Sequence, residues 1–451
     1  MSNNNNRTLK ILVGVTALTL AVLMIFAVAI SLDHPEPPAY VSIPTTTEPT
    51  EVTTVPTEPP VVKESTFTLA ATGDILMHEP VFKACAVSGG YDFDPIFTFF
   101  KDYVSAADLA VGNLETTLAG NNNGYKYKGY PRFNCPDEIV DGAINAGFDM
   151  LLTANNHAYD TSSTGLSRTV KVVREKGLMN LGTKASADEP NYAIVEQNDI
   201  KLGLACYTYE TNQDPEKKSP NGLPMKTADI PLMNTFDYSN LNLLYTELED
   251  SIRQMKQQGV SAVILFIHWG TEYQTKQNSR QSEIAQKLCD LGVDVIIGGH
   301  PHVVQPVDLL TSTKDESHKT VCLYSMGNAV SNQRRANMNL KTGHTEDGVL
   351  FSVTFARYTD GTVILESAKL LPTWVNMANH PETGKKAYMI LPLDDQLEDW
   401  KTAFHLSDSA LKNAKESYNR TMKIVGDGMT KVNDYLTQNQ TATEIAIGVT
   451  E

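Results

Sequence analysis

Basic residues are in short supply. Lys and Arg number 37 against 53 Asp and Glu, a formal net charge of -16. Nucleic-acid binding needs clustered Lys and Arg, so nucleic acid is excluded as the main partner. Cysteine is scarcer still, five in 451 residues, too few for a disulfide scaffold. No repeat of solenoid period is visible, which removes the stacked-repeat architectures. Long apolar runs are absent except for residues 11–32, an uncharged stretch able to cross about 30 Å of bilayer as a helix. The rest, in a chain 41% hydrophobic, is composed like a globular protein with a sizeable core.

Arg7 and Lys10 precede the apolar run, and no Lys or Arg follows until Lys63. The positive-inside rule then predicts a cytoplasmic tail over 1–10, a single-pass transmembrane anchor over 11–32, and an extracytoplasmic remainder at the cell membrane. A cleaved signal peptide is the alternative, but the run is long for one and no small-x-small cleavage site stands out. Residues 33–66 are rich in Pro and Thr and cannot bury apolar surface. They form a linker able to span up to ~100 Å in polyproline geometry. Cys85 and Cys135 lie in polar stretches and, outside the cell, are a speculative disulfide pair. Cys206, Cys289 and Cys322 sit in apolar runs, where free thiols are common.

The globular part begins near Phe67. Helical periodicity appears over 77–88, 136–146, 164–176, 241–258 and 279–290, with Gly147, Gly177, Gly259 and Gly292 as stops. Residues 211–236, interrupted by four prolines, read as a long binding or lid loop. After residue 302 the pattern changes to strands joined by short turns, as at Thr359-Asp360-Gly361. This order predicts an α/β fold, a sandwich of two sheets flanked by helices, over 67–393. Residues 394–451 read as a helical extension of one or two helices, broken near Ser407 and Gly426-Asp427-Gly428.

Chemistry gathers at the strand ends. The run 293–297 ends in Gly298-Gly299-His300-Pro301-His302. Four other apolar runs end alike, in Gly73-Asp74, Asn113-Leu114-Glu115, Asn155-Asn156-His157 and His268-Trp269-Gly270. Ligands of α/β sheets bind outside the carboxyl ends of strands, so these five clusters should converge. Together they supply the O and N donors of a one- or two-metal hydrolytic site. Four of the ten histidines fall at these ends. Each residue also has a plainer role open to it: Asp74 as a helix cap, Glu115 as a solvated loop carboxylate, Asn113 as a turn residue.

Taken jointly and in order, these motifs resemble the CapA family of poly-γ-glutamate capsule proteins, which in turn resembles the calcineurin-like metallophosphoesterases. The resemblance covers roughly residues 67–393. It implies that Asp74 and His302 ligate a first metal and that Glu115 stands at the bridging carboxylate. Asn156, His268 and His300 would ligate a second metal. His157 would be the catalytic histidine that protonates a leaving oxygen or steadies phosphate charge. Asn113, Arg132, Glu272 and Asn328 are candidate cleft or substrate residues, and each can equally be a solvated or structural side chain. The chain departs from the phosphoesterase pattern at Leu76, where a His ligand is usual; His78 stands two residues further on. Glu115 replaces a bridging Asp.

The implied cofactor is one or two divalent ions, Mn, Fe or Zn. The implied function is capsule or poly-γ-glutamate synthesis, export or tethering by a membrane-anchored extracytoplasmic protein. Its partners would be an anionic polymer such as poly-γ-glutamate, the membrane through the N-terminal helix, and membrane synthase subunits. Two alternatives stay open: a metal-dependent phosphoesterase acting on an extracellular substrate, and a non-catalytic scaffold of a membrane polymer-synthase complex.

Overall fold

Side-chain alternation along the strands decides the layering. In the first strand Phe67, Leu69 and Ala71 enter one buried cluster while Ala70 and Ile75 enter another. A strand buried on both faces needs a packed layer on each side. The computed structural model describes residues 61–211 and 217–447, which lie in one compact unit beginning at Pro60.

In chain order the strands begin with β1 (Lys63–Ile75), a small hairpin of β2 (Ala86–Val87) and β3 (Gly90–Tyr91), β4 (Leu109–Leu114), β5 (Met150–Leu152) and β6 (Met179–Leu181). Next come β7 (Tyr192–Gln197), β8 (Ile200–Tyr209), β9 (Thr235–Phe236), β10 (Ala262–His268), β11 (Val295–Gly299), β12 (Val307–Thr311) and β13 (Lys319–Leu323). The last are β14 (Asn328–Val330), β15 (Asp347–Tyr358), β16 (Val363–Asn379) and β17 (Lys386–Pro392). The longer helices are α1 (Glu138–Ala146), α2 (Ser162–Glu175), α3 (Leu241–Gln257), α4 (Ser279–Asp290) and α5 (Asp408–Ile447).

Two sheets result. One runs β17-β16-β15-β1-β4-β5-β6, with β14 also on β1; the other runs β12-β13-β11-β10-β8-β7, with β9 also on β8. In the first, β1, β4, β5 and β6 are parallel. In the second, β8, β10, β11 and β13 are parallel. Between the sheets Phe67, Leu69 and Val111 meet Leu204, Ile264, Phe266 and Ile297. Outside the first sheet lie Ile139 and Val140 of α1 and Val173 of α2. Outside the second lie Leu244, Leu248 and Ile252 of α3 and Ile284 and Leu288 of α4. The arrangement is a two-sheet sandwich flanked by helices, with the carboxyl ends of β1, β4, β5, β10 and β11 supplying the polar clusters.

The structure corrects four readings. Among the described residues no helix is long and apolar enough to cross a membrane, which overturns the membrane localisation. The longest helix, α5, intersperses its buried positions with Lys, Asp and Glu. Residues 1–60, with the 11–32 run and most of the 33–66 stretch, lie outside the described residues. The first strand starts at Lys63, four residues before Phe67, because its early residues pair with Tyr358 and Arg357 of β15. Cys85 and Cys135 are buried free thiols rather than a disulfide. Both pack in the apolar layer outside the first sheet, a placement their polar sequence neighbours hide.

The fourth correction concerns α5, which runs unbroken through Gly426-Asp427-Gly428. Its residues Val425, Met429, Val432 and Leu436 join the core between the sheets. The glycine at 428 permits close approach rather than breaking the helix: a Cβ there would lie 1.9 Å from the carbonyl oxygen of Val307 on β12. Arg420 pairs with Asp347 at 2.7 Å and Lys431 with Asp308 at 2.8 Å, fixing the helix to both sheets. Nothing lies within 4 Å of the corresponding position at Gly426. Gly426→Ala should therefore raise stability by about 0.5–1 kcal/mol through helix propensity. Gly428→Ala should lower it by about 1–3 kcal/mol through overpacking. Urea unfolding of the two variants checks the opposite signs.

Candidate metal centre

Register brings the first polar residues together. Asp74 pairs across the sheet with Asn113 of β4 and with Asn328 of β14. The β1–β4 register shifts between Thr72 and Asp74, a bulge that re-aims the carboxylate. Gly73 is required beside it, since a Cβ there would sit 1.9 Å from the Gly327 carbonyl oxygen. On the second sheet His268 ends β10 opposite Gly299 of β11. His300 and His302 follow with φ of 94° and 56°, left-handed values rare for side-chain-bearing residues. Such backbone is held at a cost of order 1–3 kcal/mol and clusters at functional sites.

All of Asp74, Glu115, Asn156, His157, His268, His300 and His302 are buried. Asp74 Oδ1 accepts from Asn113 Nδ2 at 2.7 Å, and its Oδ2 lies 3.1 Å from His302 Nδ1. Asn328 Oδ1 is also 3.1 Å from that Nδ1. Two oxygen acceptors place the proton on Nδ1 and leave Nε2 free, 3.9 Å from Glu115 Oε1. Across the centre, His268 Nε2 lies 2.8 Å from Asn156 Oδ1 and 3.6 Å from Glu115 Oε1. Donors that share one cation at about 2.1 Å lie about 3 Å apart, so this spacing is that of a ligand shell.

Two donor groups overlap here. Glu115, His268 and His300 form one, and Asp74, Glu115 and His302 form the other, with ligand atoms in each within 4.8 Å of one another. Glu115 belongs to both. Among the described residues neither of its oxygens has a hydrogen-bond partner, nor does Nδ1 of His300. A buried orphan costs about 1–3 kcal/mol, and more when charged. A divalent cation among these N and O donors removes that cost, so the donor set fits one.

The electrostatics agree. Burial, then the nearby Asp74 charge, pushes the Glu115 carboxyl well above the usual carboxylate range. Burial pushes Asp74 up too, but the hydrogen bond and charge of His302 outweigh it and hold Asp74 below its ordinary value. His302 is correspondingly raised: burial lowers it, and Asp74 more than offsets this. Burial pushes His268 down to about 3 and His300 well below its ordinary value, keeping both neutral as ligands must be.

The remaining candidates sit around a cleft of about 660 Å³ at this centre. Arg132, Asn156, His157 and Glu272 line it, together with His78 and Tyr273. Glu272 is exposed and can join His300 and His302 as a third donor group. Asn113 and Asn328 lie behind the donors as their hydrogen-bond partners, away from the cleft wall. From the long 211–236 loop, Asn221, Gly222 and Leu223 line the cleft.

Sequence reasoning missed Asp160 and the part played by Asn155. His157 Nδ1 lies 2.7 Å from Asp160 Oδ2, which also accepts the Phe133 amide at 2.5 Å. Asn155 donates to Asn113 Oδ1 and the Leu114 carbonyl and accepts from the His157 amide, tying two of the strand ends together. A carboxylate three residues after a candidate catalytic histidine was the available signal for Asp160.

The profile of a family described as "Bacterial capsule synthesis protein PGA_cap" matches residues 68–333. The chain belongs to this family. Among its relatives, capsule biosynthesis protein CapA of Bacillus anthracis is 26% identical over 309 residues, covering 67% of each chain. PGA biosynthesis protein CapA of Bacillus subtilis (strain 168) is 26% identical over 266 residues, covering 58% of this chain and 62% of that relative. This PGA_cap chain thus spans under two thirds of the latter. Similar solved structures include a Staphylococcus aureus protein described as a 5'-nucleotidase, at 13% identity and TM-score 0.41, covering 79% of this chain and 58% of that one. A purple acid phosphatase from yellow lupin seeds follows at 10% identity and TM-score 0.27, covering 68% and 54%.

The orphaned carboxylate gives a direct test. With divalent ions chelated, Glu115→Gln should melt at or above the wild type, because an uncompensated buried acid is removed. At a hundredfold excess of Mn2+ over Kd the wild type should gain about 2.7 kcal/mol and the variant little. Thermal melts with EDTA and with Mn2+ distinguish the two. Equal stabilisation of both proteins would exclude Glu115 from the centre.

Proposed function

We propose that this member of the PGA_cap family is a divalent-cation-dependent hydrolase of capsule biosynthesis acting on an anionic substrate. The observation that carries the reading is the pair of donor groups sharing Glu115, whose two oxygens have no hydrogen bond among the described residues, beside a histidine outside the donor set. Asp74 and His302 would hold one ion, Asn156, His268 and His300 the other, with Glu115 between them. Mixed imidazole and carboxylate donors suit Mn, Fe or Zn. Such ions, when bound, supply charge neutralisation and activation of water.

The chain's own residues do the rest. His157 Nδ1 donates to Asp160 Oδ2, which fixes the ring and leaves Nε2 for the proton that a leaving oxygen requires. Asp160 is held in turn by the Phe133 amide. Arg132, exposed on the cleft wall, can grip a carboxylate or phosphate through two parallel hydrogen bonds. An anionic polymer such as poly-γ-glutamate, to which the name of the Bacillus subtilis relative points, offers a carboxylate at every repeat. A phosphoester offers the same charge in a more compact form.

The test is hydrolysis of p-nitrophenyl phosphate, bis(p-nitrophenyl) phosphate and poly-γ-glutamate by Mn2+-loaded protein. His157→Ala should lower kcat by about 10²–10⁴ while bound metal, measured by atomic spectroscopy, stays unchanged. A variant that loses metal and activity together would make His157 a ligand instead. Full occupancy with no hydrolysis of any of the three would remove the hydrolase reading.

A further inference from the structure

His78 occupies the place just beyond the departure from the phosphoesterase pattern. It lies on the cleft wall, which His157 also lines. Its Nδ1 is turned to the backbone. The N–H of Asn332 approaches that nitrogen at 3.3 Å, and the Leu76 carbonyl oxygen lies at the same distance. Both cannot be hydrogen bonds of a neutral ring, since the first needs a bare nitrogen and the second a protonated one.

The choice between them follows from the partners. A backbone N–H can only donate. The Leu76 carbonyl already accepts from the His78 backbone N–H at 2.9 Å. With the Asn332 N–H as the donor, Nδ1 is the acceptor and the ring proton sits on Nε2. No hydrogen bond to Nε2 occurs among the described residues, and the residue is half-buried and lines the cleft. Phe133 meets the ring edge-on at 5.2 Å and restricts its rotation. Arg132 lines the same cleft and has no ion pair among the described residues.

We propose that His78 contacts the substrate, presenting a neutral Nε2–H donor that seats an anionic oxygen together with Arg132. The proposal rests on the cleft being the substrate site. A neutral donor suits this position better than an imidazolium, which the cations held by the neighbouring donors would repel. His78 is thus a binding residue for the substrate anion, while the metal donors remain those already described.

Inorganic phosphate is the probe, titrated calorimetrically into the Mn2+-loaded full chain, with p-nitrophenyl phosphate turnover as a second readout. Amide side chains imitate either ring nitrogen. His78→Asn keeps a polar atom near the Nδ1 position for Asn332 and leaves nothing at Nε2. His78→Gln carries an N–H donor to the Nε2 position and abandons Asn332. With metal content equal, His78→Asn should bind phosphate roughly ten- to hundredfold more weakly. His78→Gln should stay within about threefold of wild type. The reverse ranking would mean that His78 only ties down the Asn332 segment, and it overturns the proposal. Equal affinity in all three proteins, equal loss in both variants, or no phosphate binding by the loaded wild type overturns it as well. The expected ranking in a chain that hydrolyses nothing would end the hydrolase reading and leave the His78 assignment in place.

Discussion

A carboxylate sealed from water with no hydrogen bond is the constraint that organises this molecule. Glu115 is fully buried, follows directly from β4, and neither oxygen has a hydrogen-bond partner among the described residues. Folding does not favour such a group on its own account. The surrounding structure nevertheless holds it in position through the bulge at Gly73, the Asn113–Asn155 amide chain and the two left-handed histidines. Several of these features are individually unfavourable, and they share one address. They make sense as a rigid seat that suits positive charge.

The sandwich supplies the rigidity. Each sheet brings a different share of donors: Asp74 and Glu115 from the first, His268, His300 and His302 from the second, with Asn156 reaching across to His268. Their relative positions are set by the core between the sheets, where Phe67, Leu69, Ile264 and Phe266 pack. Helix α5 belongs to that core, with Val425, Met429, Val432 and Leu436 packed into it and salt bridges to Asp308 and Asp347 on separate sheets. A segment legible only as a polar helical appendage is therefore part of the frame that positions the donors.

The strand ends were readable in the sequence because a strand repeats every two residues and stops at glycine, so Asp, Asn and His after an apolar run stand out. The family resemblance added roles to those positions. What stayed hidden depends on contacts far along the chain. Asp160 is the exception, a local partner three residues from His157 whose spacing was there to be read. Gly428 looked like a helix break, because nothing local reveals the Val307 carbonyl it accommodates. Cys85 and Cys135 looked exposed, because burial belongs to tertiary packing and their neighbours are polar. The early residues of β1 looked like linker, since their partner strand lies nearly 300 positions away.

That long reach has a temporal side. The Asp74–His302 contact spans 228 positions and the His268–Asn156 contact 112. Contacts so remote in sequence form late, after the entropy of closing large loops has been met. A donor set built on such contacts is complete only in the tertiary fold, unlike the short-range ligand set of a zinc finger. The hydrophobic sandwich has to stand before these donors can act as one set.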